Sequence, residues 1–147
     1  MKAIIIILLF GISLSYNPTA AISYAHRYCN KYNPKYKNYK NSGCDCANFV
    51  SQCMTAGGLD LSECSGKDEK GMIPVIANLK TCLTQNKWKH SSSKPVSFKA
   101  GYPIFMKVNS HAMLATGFSD GNIIYCSHGG DRCDGKIMAS SVEYYYL

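Results

Sequence analysis

Two cysteines separated by one residue, Cys44 and Cys46, stand where a loop is predicted to become a helix, and His111 and His128 follow far downstream. The first backbone N–H groups of a helix have no partner within it, and together with the helix dipole they stabilise a thiolate. We therefore expect the pKa of Cys46 to be lowered. A thiolate beside an imidazole is the nucleophile and base of cysteine catalysis. The pattern predicts a cysteine hydrolase with Cys46 as its nucleophile.

The predicted helix contains a second cysteine, Cys53, on the same apolar stripe about two turns further on. The helix is expected to end at Gly57 and Gly58, a common C-terminal stop. Cys53 would then be buried among apolar neighbours, where a thiol is inert. Cys46 lies at the open end of the stripe, which favours it as the reactive residue.

A hairpin is predicted to bring the two histidines together. Asp120 and Gly121 form a strong turn signal, and the register that follows from this turn puts His111 and His128 on one face. Their backbones would be diagonal neighbours about 7 Å apart, a gap that an imidazole pair spans. His111 is therefore the predicted base, and His128 is predicted to accept its other N–H and fix its tautomer. Asp131 is the rival for this orienting role.

Two further residues are candidates for substrate binding. Asp45 adjoins the predicted nucleophile, and Trp88 is the only tryptophan of the chain. Trp88 falls in a loop-like stretch, residues 86–101, where it would line a substrate groove or serve as a packed anchor. The backbone N–H of Cys46 is the natural oxyanion donor. No cofactor is expected.

The N-terminus has the pattern of a secretory signal peptide. One lysine precedes a short apolar run at residues 4–12, and small residues follow. The run is too short to span a bilayer. We predict a signal peptide over residues 1–15 and a single domain over residues 16–147. The expected location is secreted, or the phagosomal or lysosomal lumen, with no stable membrane insertion.

The chain has eight cysteines. In an oxidising compartment most of them should form disulfides. Reserving Cys46 as a nucleophile leaves an odd number, so at least one more thiol is free or pairs between chains. The predicted pairs are Cys126 with Cys133, across a short loop, and Cys64 with Cys82.

Two other interpretations of the Cys-x-Cys pair remain open. Cys46 could be half of a disulfide, as most cysteines of a secreted protein are. Alternatively, Cys44 and Cys46 could form a Cys-x-Cys metal pair together with His128 and Cys126. We expect no metal, because secreted cysteines usually oxidise.

The formal net charge is +7, and residues 16–44 and 70–119 contain no Asp or Glu. Such a surface attracts polyanions, which for a secreted protein include bacterial wall polymers, anionic lipid and extracellular nucleic acid. A lysine-rich surface that only confers solubility is the alternative. Tyrosines among the lysines would suit single-stranded nucleic acid, but no RNA-binding motif accompanies them, and nucleic acid is not a predicted partner.

Helices are predicted first and strands after them. The periodicity and end signals predict helices over residues 17–33, 46–57 and 74–85, and strands over residues 102–108, 111–118, 122–128 and 136–145. This order indicates the α+β class, with an antiparallel sheet.

Residues 43–58 closely resemble the putative amidase domain family. The resemblance is carried by Asp45-Cys46, Asn48-Phe49-Val50-Ser51-Gln52 and Ala56-Gly57-Gly58. The family is similar to the NlpC-like cell-wall cysteine peptidases, which share a papain-like core. His111 opens a hydrophobic strand as the family histidine does, and His128 lies where such proteins carry a third polar residue.

The resemblance implies hydrolysis of amide bonds, often in peptidoglycan stem peptides. It also implies a papain-like NlpC-type core, in which N-terminal helices, including the cysteine helix, pack on a small antiparallel sheet. Cys44 stands where the family usually has glycine, so an extra disulfide beside the nucleophile is expected.

The leading hypothesis is a secreted, monomeric amidase or endopeptidase that cuts bacterial peptidoglycan, for antibacterial defence or for digesting bacteria. One alternative is a non-catalytic, cationic, disulfide-rich binding or antimicrobial protein that retains the fold. Another is a cysteine acyltransferase.

Overall fold

The computed structural model describes residues 15–108 and 110–147. The predicted signal peptide lies outside this part except for its last residue. The described residues form three helices and six strands: α1 Pro18–Tyr28, α2 Cys46–Ala56, α3 Ile76–Gln85, β1 Lys89–Ser91, β2 Pro103–Met106, β3 Ala112–Ser119, β4 Asn122–Ser127, β5 Arg132–Met138 and β6 Val142–Tyr146. No helix among them is both long enough and apolar enough to cross a bilayer.

The strands form one sheet in the order β1-β6-β2-β3-β4-β5, and every neighbouring pair is antiparallel. The helices precede the sheet in the chain, so the predicted α+β class is confirmed. The helix α2 lies at the centre of the molecule, with α1 on one side and the sheet, chiefly β3, on another.

The sequence explains where the first two helices begin and end. Asn17 caps α1, because its side-chain oxygen accepts a hydrogen bond from the Ala20 N–H at 3.1 Å, and Pro18 fits the first turn. The helix ends at Tyr28, several residues before the predicted stop. In α2, every residue from Cys46 through Met54 is buried. The helix therefore differs from an amphipathic surface helix, which has one polar, solvent-facing side.

The strands differ from the prediction at two places. The short edge strand β1 lies in the stretch predicted as loop, because its alternation is too brief to register in the sequence. The segment predicted as one strand over residues 136–145 is two strands, β5 and β6, separated by the 3₁₀ turn Ala139–Ser141. The turn lets β6 pair with β1 and β2 on the other side of the sheet.

Two disulfides join distant parts of the fold. The predicted Cys64–Cys82 bond is present. The predicted pairing of Cys126 with Cys133 is wrong, because Cys133 bonds to Cys29, the residue that directly follows α1, at a Cα–Cα distance of 5.3 Å. Packing of α1 against the sheet brings its C-terminal end to β5, whereas Cys126 points into the buried core.

Candidate active site

The start of α2 and the start of β3 lie side by side and bring thiols and an imidazole together. Cys46 is the first residue of α2, and His111 directly precedes β3. The sulfur atoms of Cys44 and Cys46 and a ring nitrogen of His111 lie within 4.8 Å of one another. The structure therefore places the sequence-predicted nucleophile next to the predicted base.

The Cys46 thiol is almost enclosed, with 2% of the residue exposed. Burial raises the pKa of Cys46 from 9.0 to about 12; hydrogen bonds from the backbone N–H groups of Ala112 and Ala47 act against this, while Cys44 adds to it. The expected lowering of this pKa at a helix start is therefore wrong. Desolvation outweighs the helix N–H groups, so the resting residue is a thiol.

Burial has the opposite effect on the imidazole. It lowers the pKa of His111, because a charged ring is poorly solvated in this environment. The ring is therefore neutral at neutral pH and able to accept a proton. The backbone carbonyl of His111 accepts a hydrogen bond from the Met106 N–H at 2.8 Å, which fixes the residue to β2.

Cys44 is the exposed member of the group. Its sulfur lies 3.9 Å from Nδ1 of His111. Gly129 lies against both residues: a Cβ on it would stand 2.8 Å from the Cys44 sulfur and 3.5 Å from Cε1 of His111. Gly129 also has a φ of +79°, which favours glycine. Cys44 is a free thiol, so the extra disulfide that the family resemblance implied is not formed.

A cleft of about 520 Å³ opens onto the two thiols. One wall is formed by the loop that enters α3 and its first turn, with Lys80 further along; the lining residues besides the thiols are Pro74, Val75, Ile76, Ala77, Lys80 and Ser110. The Lys80 ammonium donates to Glu143 at 2.6 Å, so its charge is already paired. The rest of the wall presents small and aliphatic groups.

The expected hydrogen bond between His128 and His111 is not formed. Nδ1 of His128 lies 2.6 Å from Oδ2 of Asp45, and its Nε2 lies 2.7 Å from the carbonyl oxygen of Tyr28. The ring is 1% exposed and stacks on Phe49 with centroids 4.1 Å apart. Both ring nitrogens therefore have partners other than His111. His128 therefore supports the fold beneath the site.

A β-bulge explains why the predicted register fails. The turn at residues 120 and 121 forms as expected and pairs Phe118 with Ile123, but the register shifts between Ala115 and Gly117. After the shift, Leu114 rather than Met113 shares a face with Cys126. A shift of one residue moves side chains to the opposite face, so His111 and His128 no longer face each other.

The other predicted site residues also have structural partners. Asp45 is 1% exposed and accepts hydrogen bonds through Oδ1 from the Tyr39 N–H and the Asn48 amide, both at 2.9 Å. Its predicted role in substrate binding does not fit this enclosure. Asp131, the rival orienter, instead contacts Tyr32 and Lys40.

Trp88 is not part of the cleft wall. It is 4% exposed and packs edge-on against Tyr16 and Tyr102, with ring centroids 5.0 Å away in each case. It is therefore the packed anchor that was the alternative to a groove residue. No sequence pattern marks residues 74–77 as a cleft wall, whereas the Cys-x-Cys spacing indicates that Cys44 lies near Cys46.

The fold and the site define an α+β protein with a helix-start cysteine facing a strand-start histidine. A family model described as a putative amidase domain matches residues 15–125. This span covers most of the chain, and the protein belongs to the putative amidase domain family. The match includes Cys46 and His111 and ends before His128.

One curated relative shares a short part of the chain. The uncharacterized protein YhbB of Bacillus subtilis (strain 168) is 45% identical over 49 residues, which are 33% of this chain and 15% of that protein. The chain therefore spans well under two thirds of the length of this relative. No solved structure matches the fold.

Proposed function

We propose that this protein is a cysteine amidase in which Cys46 is the nucleophile and His111 the general base. The observation that carries the proposal is the proximity of the Cys46 sulfur to a ring nitrogen of His111, within 4.8 Å, beside a cleft that Cys46 lines. Membership of the putative amidase domain family supports the same class of reaction.

The first step joins the Cys46 sulfur to the carbonyl carbon of a substrate amide. The two pKa shifts favour a neutral thiol and a neutral imidazole at rest. His111 therefore accepts the thiol proton as the sulfur attacks, and then donates it to the amine nitrogen as the C–N bond breaks. The products of this step are a thioester on Cys46 and the free amine.

The second step hydrolyses the thioester. His111 accepts a proton from water, the water oxygen attacks the carbonyl carbon, and the sulfur leaves and regains a proton from the imidazole. The Cys46 backbone N–H is an orphan donor at the helix start, suited to the negative oxygen of each tetrahedral intermediate.

The proposed structural relatives are the NlpC-like peptidases with a papain-like core. A cysteine at the start of a helix that packs on an antiparallel sheet, with a histidine at the start of a strand, is consistent with that relationship. We propose no third side chain for the Cys-His pair, because the expected orienter His128 bonds to Asp45 instead.

The proposed substrate is the stem peptide of bacterial peptidoglycan, and the proposed location is extracellular or luminal. Small aliphatic groups on the cleft wall suit the alanine side chains of such peptides. The net charge of +7 suits an anionic bacterial wall. Two disulfides are consistent with an oxidising compartment. We propose that the protein acts as a monomer, without nucleic acid or membrane insertion.

The proposal is tested by digesting purified peptidoglycan and identifying the released fragments by mass spectrometry. We expect Cys46→Ala and His111→Ala to reduce fragment release by at least about 1000-fold, since loss of the nucleophile or base removes the covalent route. Cys53→Ala is the matched control: it changes a buried thiol in the same helix and should leave release within a few-fold of the parent.

Two results would overturn the assignment. Release that survives in Cys46→Ala but is lost in Cys44→Ala would make the exposed thiol the nucleophile. Wall binding with no fragment release by the parent protein would favour the non-catalytic, cationic binding protein. A parallel digest with an added amine distinguishes hydrolysis from acyl transfer, because the acyltransferase would attach the amine to the new carboxyl end.

A further inference from the structure

The proposed active site contains one more ligand for a soft metal ion than cysteine catalysis requires. Cys44, Cys46 and His111 offer two sulfurs and one ring nitrogen within 4.8 Å of one another. Zinc prefers such a mixture of thiolate and imidazole, and three protein ligands with an open fourth position are common in its reactive sites. We propose that these three residues bind Zn²⁺ and that the bound metal inhibits the enzyme reversibly.

The distances are close to those that tetrahedral zinc needs. With a Zn–S bond of about 2.3 Å and a Zn–N bond of about 2.05 Å, the sulfur and nitrogen ligands lie about 3.6 Å apart. The Cys44 sulfur is 3.9 Å from Nδ1 of His111. A change of a few tenths of an ångström therefore brings this pair to coordination distance.

The surrounding structure holds the three ligands in place from different sides. Cys46 is held by its place in α2 and by a hydrogen bond from the backbone N–H of Ala112. His111 is held by the hydrogen bond that its backbone carbonyl accepts from Met106 in β2. Gly129 backs Cys44 with no room for a side chain. The site is assembled by the fold, and the exposed Cys44 gives a cation a route into it.

The state of the other cysteines supports a thiol site here. Four of the eight cysteines form the two disulfides, and Cys44 and Cys46 are both free thiols. The metal alternative considered from the sequence combined Cys44 and Cys46 with Cys126 and His128. The structure does not bring these residues together, because Cys126 is fully buried in the core and His128 bonds to Asp45. His111 takes their place.

Inhibition follows from the identity of the ligands. Both thiols lose their protons when they coordinate, and the imidazole lone pair is occupied. The sulfur and nitrogen that would attack and accept a proton are then unavailable. This regulatory consequence rests on the proposed cysteine chemistry, whereas the metal binding does not.

Metal binding is measured on the full-length protein, kept reduced, by titration with Co²⁺ and by competition of Zn²⁺ with a chromogenic chelator. Thiolate-to-cobalt charge-transfer absorbance reports sulfur ligands without any need for activity. We expect saturation at one ion per chain. Cys44→Ser should weaken Zn²⁺ binding by at least about 100-fold. Loss of a residue that only supports a metal ligand already weakens binding by up to about 100-fold, and loss of a ligand should cost at least as much. His111→Ala should do the same.

Cys126→Ser is the matched control, because Cys126 belongs to a second possible metal group with His26 and Asp134. Its Zn²⁺ affinity should equal that of the parent. Loss of binding in Cys126→Ser, with retention in Cys44→Ser, would overturn the proposal. So would a Cys44–Cys46 disulfide in the protein purified without reductant, or peptidoglycan digestion that stops on chelation and resumes with zinc.

The zinc site and the amidase activity fail in distinguishable ways. If cobalt and zinc bind as expected but no variant or parent releases wall fragments, the metal site stands and the proposed function is wrong. If fragments are released and Zn²⁺ leaves the rate unchanged at saturating occupancy, the inhibitory role is wrong.

Discussion

An enclosed polar contact beneath the candidate active site joins His128 to Asp45. Each residue is 1% exposed, and the nitrogen and oxygen are 2.6 Å apart. Asp45 is the residue that precedes α2, and its other oxygen bonds to the loop at Tyr39 and to Asn48 in the first turn. The pair therefore fixes the loop that carries Cys44 and the helix start that carries Cys46, from a position below the cleft.

This arrangement predicts a stability defect rather than a purely catalytic one. His128→Phe keeps a ring against Phe49 but leaves the Asp45 carboxylate buried without its partner. Breaking a buried pair in this way costs about 3–5 kcal/mol. We expect urea unfolding to show a loss of that size, and the loss should be smaller when Asp45→Asn is added, because the unpaired charge is then removed.

If His128→Phe lowers the free energy of unfolding by less than about 1 kcal/mol, the structural role is contradicted. A loss that small is typical of solvent-exposed ion pairs. Folded His128→Phe should retain measurable release of peptidoglycan fragments, whereas His111→Ala should not. Equal and complete loss of release in both folded variants would restore His128 as a residue of the reaction.

Two residues of the candidate site, Cys46 and His111, have local signals in the sequence. Cys46 follows a loop and opens an apolar helix, and His111 opens an apolar strand, so each is recognisable within a few residues. The partner of His128 is not local. It depends on one extra residue in β3, near Thr116, and on α1 placing the Tyr28 carbonyl over the ring. Side-chain alternation alone cannot reveal a bulge.

At the scale of elements, the two disulfides have different consequences. The Cys29–Cys133 bond joins α1 to β5 across 104 residues of sequence, whereas the Cys64–Cys82 bond closes an interval of 18 residues beside α3. The shorter pair was among those predicted, but closeness in the chain was not a sufficient guide, because Cys126 and Cys133 are closer still and are not bonded to each other. The longer one follows from helix-to-sheet packing, which the sequence pattern did not define.

We expect the long-range disulfide to contribute more to stability. In the chain-entropy model, a loop of about 100 residues gives about 4.7 kcal/mol and one of about 15 residues gives about 3 kcal/mol. Replacing both Cys29 and Cys133 by alanine should lower the free energy of unfolding by more than the same change at Cys64 and Cys82. Urea denaturation of both double variants without reductant measures this. An equal or reversed order would show that native-state packing, not loop closure, dominates.

At the scale of the whole molecule, an aromatic cluster connects the entrance of α1 to the sheet. The Tyr16 ring lies 5.0 Å from Trp88 and 6.0 Å from Tyr102, and its hydroxyl donates to the Gly101 carbonyl at 2.7 Å. Gly57, just after α2, lies so close to Tyr16 that a Cβ there would stand 2.5 Å from the ring. The cluster therefore joins the helical layer to the strands at the end of α2 opposite the candidate active site.

Ionisation of Tyr16 should weaken the fold at alkaline pH. Burial raises the pKa of Tyr16 well above 10.0, with smaller contributions from Cys53 and Tyr102. The tyrosine of the unfolded chain ionises first, so its contribution to stability is complete below about pH 10 and decreases as the pH rises above that value.

Tyr16→Phe removes this group and should reduce the slope of the unfolding free energy above pH 10 by up to about 1.4 kcal/mol per pH unit. Urea unfolding at a series of alkaline pH values measures the slope. The control is Tyr146→Phe, at a partly exposed tyrosine, and an equal change of slope in both variants would refute the assignment.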